Sequence, residues 1–147
     1  MTIRTAANSA TPADAPFVHE IVLARPIATV WTALVRKDIV DKYYLAPLGA
    51  DIATVGSEVF YGLPSNKMIV GTVLAVEAPT RLVHTFRFAS DSGPDTTVTY
   101  ALAATGSGTV LRIEHRGYPD PSQGYSDIAM GWPIIAGRLK ALLEGTA

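Results

Sequence analysis

Two spacings of apolar residues succeed one another along this chain, separated by proline- and glycine-containing turns. From Phe17 to Arg25 the residues suit a strand, with Val18, Ile21, Val22 and Leu23 apolar and His19 and Glu20 interrupting them. Pro26 stands where a first helical residue belongs, and Ile27, Val30, Trp31 and Leu34 follow at the i, i+3, i+4, i+7 spacing of one helix face. A second short helix is predicted from Asp38, as its cap, to Tyr44, closed by Pro47 and Gly49.

The pattern then becomes β-like. Val55-Gly56 reads as a turn and Glu58 to Tyr61 as a short strand, followed by a loop from Gly62 to Lys67 around Pro64. Ile69 to Glu77 is a strand, and Ala78-Pro79-Thr80 a tight connection. From Arg81 to Phe88 the alternation is clean: Arg81, Val83, Thr85 and Arg87 share one face, and Leu82, His84, Phe86 and Phe88 the other. Thr96 to Ala104 and Thr109 to Arg116 are two further strands joined at Gly106-Ser107-Gly108. Val98, Tyr100 and Leu102 share a face in the first, and Leu111, Ile113 and His115 in the second. A long helix follows from about Tyr125 to Glu144, with Ile128, Trp132, Ile135, Leu139, Leu142 and Leu143 on its stripe and Pro133 expected to kink it or to mark the start of its straight part. Strands joined by short turns must run antiparallel, and their inner face needs a cover that only the last helix is long enough to supply. The fold class is therefore α+β, a curved antiparallel sheet gripping a long C-terminal helix, with two short helices after the first strand.

Composition narrows the function. The 147 residues fit one domain, over 17–147, preceded by a small, polar stretch at 1–16 that reads as a flexible tail and lacks the apolar centre of a secretory signal. Hydrophobic residues make up 48% and charged residues 17%, so part of the apolar surface must be buried in a partner or line a cavity. A formal net charge of -1 argues against nucleic acid as a partner. Nothing approaches the roughly 18 apolar residues of a membrane-spanning helix. With no cysteine, disulfides, thiolate nucleophiles and thiolate metal sites are excluded together, and a cytoplasmic location is expected.

The order of elements, with these particular residues, resembles the START-like or SRPBCC superfamily, the helix-grip fold. Within it the chain is similar to the branch named after the activator of the Hsp90 ATPase. The residues that carry the resemblance are Pro26 to Leu34, Val55-Gly56, Gly71-Thr72-Val73 with Pro79 to Leu82, and Gly108-Thr109. To these add His115-Arg116-Gly117-Tyr118, Gly131-Trp132 and Leu139-Lys140, so that the match spans about Val18 to Leu143. The superfamily includes lipid and hormone carriers, polyketide cyclases and aromatases, and co-chaperone domains. The resemblance thus implies a ligand cavity between sheet and helix. Where the second helix of such proteins commonly carries a tryptophan, Tyr43-Tyr44 stand here, which makes that edge of a pocket more polar.

The expected floor of the pocket is Leu82, His84, Phe86, Phe88, Val98, Tyr100 and Leu102, with the helix near Met130 and Ile134 as its lid. Tyr43, Tyr44, Tyr61, Met68 and His115 complete the candidate ligand-binding set; the methionines would lend the wall adaptability. His84, on the face of Phe86 and Phe88, could serve as a general acid or base or orient a polar ligand atom, although a histidine satisfied by a neighbour or by water is the commoner case. His115 could line the pocket entrance or bond loop backbone. Tyr100 is the best-placed phenol for a polar ligand atom. His19, His84 and His115 lie on separate strands without a short-range pair, so no metal is expected, and no cofactor. No serine sits in a Gly-x-Ser-x-Gly elbow, so hydrolase chemistry is unsupported and no catalytic residue is assigned.

Three functions follow from these residues. The first is binding of a small hydrophobic molecule (a lipid, an aromatic or a polyketide-like metabolite) in a cavity of about 300 to 1,000 Å³. The second is a cyclase- or isomerase-type enzyme in which His84 and Tyr100 transfer a proton, which requires both at one cavity. The third is a co-chaperone-like interaction protein, less expected for a chain this small. A homodimer is open to all three. The wall looks better suited to holding a molecule than to transforming one.

Overall fold

A computed structural model describes residues 16–145, so the expected tail over 1–16 lies, but for Pro16, outside the described residues. Strand β1 (Phe17–Leu23) leads into α1 (Ile27–Val35) and the single turn α2 (Lys37–Val40). Then come β2 (Glu58–Leu63), β3 (Asn66–Glu77), β4 (Arg81–Phe88), β5 (Thr96–Ala104), β6 (Thr109–Arg116) and α3 (Gln123–Glu144). The six strands form one antiparallel sheet in the order β1-β6-β5-β4-β3-β2, so the first strand closes beside the last.

Two predicted boundaries move. The second helix stops at Val40 and continues only as turns, and its N-cap is Arg36 without a side-chain bond. Asp38 sits inside that helix and pairs with Arg36 at 3.3 Å instead of capping it. The loop predicted from Gly62 to Lys67 is mostly strand: β2 and β3 pair through Leu63 and Asn66 around Pro64-Ser65, with a bulge at Tyr61/Gly62 where Gly62 takes φ +127°. Helix α3 runs unbroken through Pro133, whose exposed position leaves the carbonyl one turn back to water. Ser122 caps it, its Oγ accepting from the Tyr125 N–H at 3.1 Å, and Gly145 ends it in the left-handed region at φ +73°.

The core lies between the concave face of the sheet and α3. Ile128, Trp132, Ile135, Ala136 and Leu139 are buried, the period of one helix face, and each of the larger ones contributes about 1.5–3 kcal/mol on burial. The far end of α3 is tied to β1: Lys140 Nζ donates to the Val22 carbonyl at 2.9 Å, and the Glu144 carboxylate accepts from the Ala24 N–H at 2.8 Å. Between α2 and β2 the chain folds back over the sheet. There Asp41 Oδ1 accepts from Leu48 N–H, the Gly49 N–H donates to Phe60 and the Gly62 N–H to Pro47. These bonds fix residues 44–46 across the sheet from α3. Among the described residues no helix is long and apolar enough to cross a membrane.

Candidate functional site

The interior between sheet and helix contains two cavities of unequal kind. The outer one, about 200 Å³, opens at the mouth of the grip. Its floor is Phe86 and Phe88 from β4 with Met68 and Ile69 from β3. One wall is Tyr44, Leu45 and Ala46, and the other is the first half of α3 through Asp127, Ile128, Gly131, Trp132 and Ile135. Asp127 is the only charged residue among them. The inner space, about 10 Å³, is the size of a single water molecule and lies deeper, between Tyr43, Tyr44, Tyr61, Tyr100 and the helix. Tyr44, Trp132 and Ile135 belong to both and form the partition.

Behind that partition stands an aromatic cluster. Tyr44 stacks on Tyr61 with ring centres 4.2 Å apart, and Trp132 meets Tyr44 and Tyr100 edge-on at 6.3 and 5.9 Å. The Tyr43 hydroxyl donates to the Ala33 carbonyl at 2.6 Å, which fastens the segment to α1 and uses up that phenol. Burial raises the pKa of Tyr43, Tyr44, Tyr61 and Tyr100 above the ordinary 10, so all four are un-ionised.

The two inner histidines have different surroundings. His115 is buried and bonded on both sides: Trp132 Nε1–H reaches its Nδ1 at 3.0 Å, and its Nε2 lies 2.7 Å from Thr96 Oγ. An indole can only donate, so Nδ1 accepts and Nε2 carries the proton. Thr96 Oγ accepts that hydrogen bond and donates its own O–H to the Phe86 carbonyl at 2.8 Å. The relay thus fixes one tautomer and one indole orientation, from the last strand through the helix that walls the cavity. Burial, and then the neighbouring His84, lowers the pKa of His115 to about 3.

His84 is fully buried between Tyr61 and Tyr100, 6.3 and 5.8 Å ring to ring. Its Nδ1 lies 2.7 Å from the Thr85 carbonyl and must donate to it, which leaves Nε2 a bare acceptor. That Nε2 is buried without a partner, and burial lowers the pKa to about 4 despite the Thr85 bond. His84 lines neither cavity.

Of the expected site residues, Phe86, Phe88, Met68 and Tyr44 line the outer cavity, and Tyr43, Tyr61 and Tyr100 the inner space. Leu82, Val98 and Leu102 share the concave face but are sealed in the core. His115 acts through Trp132 and does not line the cavity. Met130 and Ile134 are not a lid: they are 70% and 49% exposed. Two residues from both Ile128 and Trp132, Met130 falls about 160° from each around the helix, and Ile134 follows it outward. Leu45, Ala46, Ile69, Ile128, Gly131, Trp132, Ile135 and Asp127 were not anticipated as lining. For Asp127 and Gly131 a signal existed, since they stand four apart on the flank of the apolar stripe. His19, on β1 opposite Ile113, joins neither cavity, and among the described residues no three His, Cys, Asp or Glu side chains are grouped to hold a metal.

Residues 24–144 match the family described as activator of Hsp90 ATPase homolog 1-like protein. The chain belongs to this family. Among solved structures it is similar to protein MLL2253 from Mesorhizobium loti, at 29% identity over 90% of this chain and 98% of that one, with a TM-score of 0.78. DynU16, a putative protein in the dynemicin biosynthetic locus, is 23% identical with a TM-score of 0.76; the match covers 89% of this chain and 48% of DynU16. The Aha1 dimer from Colwellia psychrerythraea is 16% identical over 88% of this chain and 96% of that one, with a TM-score of 0.75. These last two likenesses extend to the fold. No curated protein matches the chain.

Proposed function

We propose that this domain binds a small, largely apolar molecule in the outer cavity, between β3–β4 and the first half of α3. The observation that carries this reading is an open space of about 200 Å³ whose wall is aliphatic and aromatic except for one carboxylate. That is below the about 300–1,000 Å³ of sites for drug-sized ligands, so the occupant is one or two rings or a short chain, not a whole lipid. The fold-level likeness to a protein of the dynemicin biosynthetic locus agrees with a metabolite as occupant. Proton transfer by His84 and Tyr100 is not favoured, because His84 stands outside both cavities.

Thermal unfolding in the presence of a library of one- and two-ring aromatics and C6–C10 alkyl compounds tests the proposal. A ligand at a hundred times its Kd stabilises by about 2.7 kcal/mol, which for a chain of this size is a rise of roughly 5–10 °C. Ile128→Trp, which fills the cavity from the helix side, is expected to abolish the rise. If no class of compound moves the transition, the cavity is not a binding site.

A further inference from the structure

The outer cavity combines two features that together select a charge type. Four aromatic residues line it, Tyr44, Phe86, Phe88 and Trp132, and the face of an aromatic ring carries negative charge that attracts cations. Among the described residues its only charged lining group is the Asp127 carboxylate, and no Lys, Arg or His lines it. Gln123, one turn earlier on α3, donates its Nε2–H to Asp127 Oδ1 at 2.8 Å and so holds the carboxylate in place. Lys67, the chain neighbour of Met68, is turned away: its ammonium lies 4.5 Å over the Phe60 ring and 2.8 Å from Glu58. Tyr118, stacked on Phe88 at 6.4 Å, lies near enough to Asp127 for that carboxylate to add to the rise in its pKa, after burial and Asp91.

We infer that the preferred ligand of this cavity is a hydrophobic amine, its aryl or alkyl body among the aromatic residues and its ammonium against Asp127. This rests on the reading of the cavity as a binding site and adds the chemical class of what binds. A fatty or aromatic acid entering with its head at the mouth would set one carboxylate against another, so the site discriminates against the acids that an apolar pocket would otherwise accept. Because Asp127 is exposed, the ion pair alone is worth little. Added to cation–π contacts with the ring faces, it amounts to about a tenfold preference.

Three probes matched in size test this by NMR titration of the full chain at low salt, read at the Trp132 indole and the Asp127 amide: phenethylammonium, propylbenzene and 3-phenylpropanoate. The expected result is that phenethylammonium binds about tenfold more tightly than 3-phenylpropanoate. Asp127→Asn should reduce that gap at least about threefold, with propylbenzene measured alongside to register any change in the cavity itself. Asp127 is exposed, so the variant keeps the fold. If propylbenzene binds but the acid equals or exceeds the amine, or Asp127→Asn leaves the gap intact, the inference is overturned and the cavity reading stands. If none of the three binds, both fall.

Discussion

The relay from Trp132 through His115 and Thr96 to the Phe86 carbonyl makes a sharp energetic prediction. Thr96→Val keeps the shape of the side chain and removes the hydroxyl that both accepts from His115 Nε2–H and donates to Phe86. Thr96 is 3% exposed and His115 2%, so the bond lies in the buried interior. Orphaning the imidazole N–H costs about 1–3 kcal/mol, and losing the bond to Phe86 about 0.5–1.5 kcal/mol. The more apolar valine returns part of this, leaving a net loss of about 2–3 kcal/mol. In a His115→Phe background the imidazole N–H is already gone, and the same substitution loses the bond to Phe86 and the contact with the Tyr118 hydroxyl, about 1 kcal/mol. The coupling between positions 96 and 115 is therefore expected at about 1.5 kcal/mol. Urea unfolding of the four proteins, followed by circular dichroism and by tryptophan fluorescence, measures it. With an m-value of about 1.5 kcal/mol/M, Thr96→Val should shift the wild-type midpoint by about 1.3–2 M, and the His115→Phe midpoint by about half that. Additivity within about 0.5 kcal/mol would refute the bond as a stabilising contact.

Stability should also depend on pH through the two buried imidazoles. In the unfolded chain they titrate near 6.5; in the fold His84 does so at about 4 and His115 at about 3. Below pH 6.5 the unfolded state thus binds more protons, so stability is complete above that pH and falls by about 1.4 kcal/mol per unit for each histidine on acidification towards pH 4. Urea midpoints at pH 7, 6 and 5 check this; His115→Phe should roughly halve the slope, and a flat profile would contradict the assignment. Gly71→Ala is expected to cost about 3 kcal/mol or more, since a Cβ there would run into the Thr85 carbonyl oxygen of the paired strand β4. A thermal transition lowered by less than about 5 °C would show that the backbone yields.

Strand faces and the stripe of α3 were legible in the sequence because each is a periodic quantity. Alternation from Arg81 to Phe88 placed His84, Phe86 and Phe88 on the concave side, and the spacing of Ile128, Trp132, Ile135 and Leu139 named the buried helix face. What periodicity cannot say is where along a buried face the contact ends and open space begins. Leu82 and Phe86 share one strand face, yet Leu82 is sealed and Phe86 meets a cavity. The difference depends on where residues 44–46 cross the sheet, and that crossing is set by the Asp41 carboxylate, which accepts from the Leu48 N–H, and by the backbone bonds of Gly49 and Gly62, with no local sequence signature. Met130 and Ile134 were misplaced for a related reason: hydrophobic residues on the solvent side of an amphipathic helix look like part of the stripe until its phase is fixed by the sheet.

His84 marks the limit of what polar character in the interior can be used for. A buried histidine on a concave face, flanked by phenols, has the composition of a catalytic site. Its geometry is otherwise: one nitrogen is spent on the neighbouring carbonyl, and the other lies behind Tyr61 and Tyr100, beside a space that admits no more than a water. The open volume is on the other side of Tyr44 and Trp132, where the wall is apolar but for Asp127. The polar groups of this interior therefore act mainly on the structure, with His115 holding the Trp132 indole that divides the two spaces. On the proposed reading of the outer cavity, selectivity falls to the residues at the mouth. Substitutions at His84 or His115 should change how much of the protein is folded and how sharply the cavity is shaped, whereas substitution at Asp127 should change what the cavity prefers without changing stability. The two effects are separable because Asp127 is exposed at the mouth, whereas His84 and His115 are buried and line neither cavity.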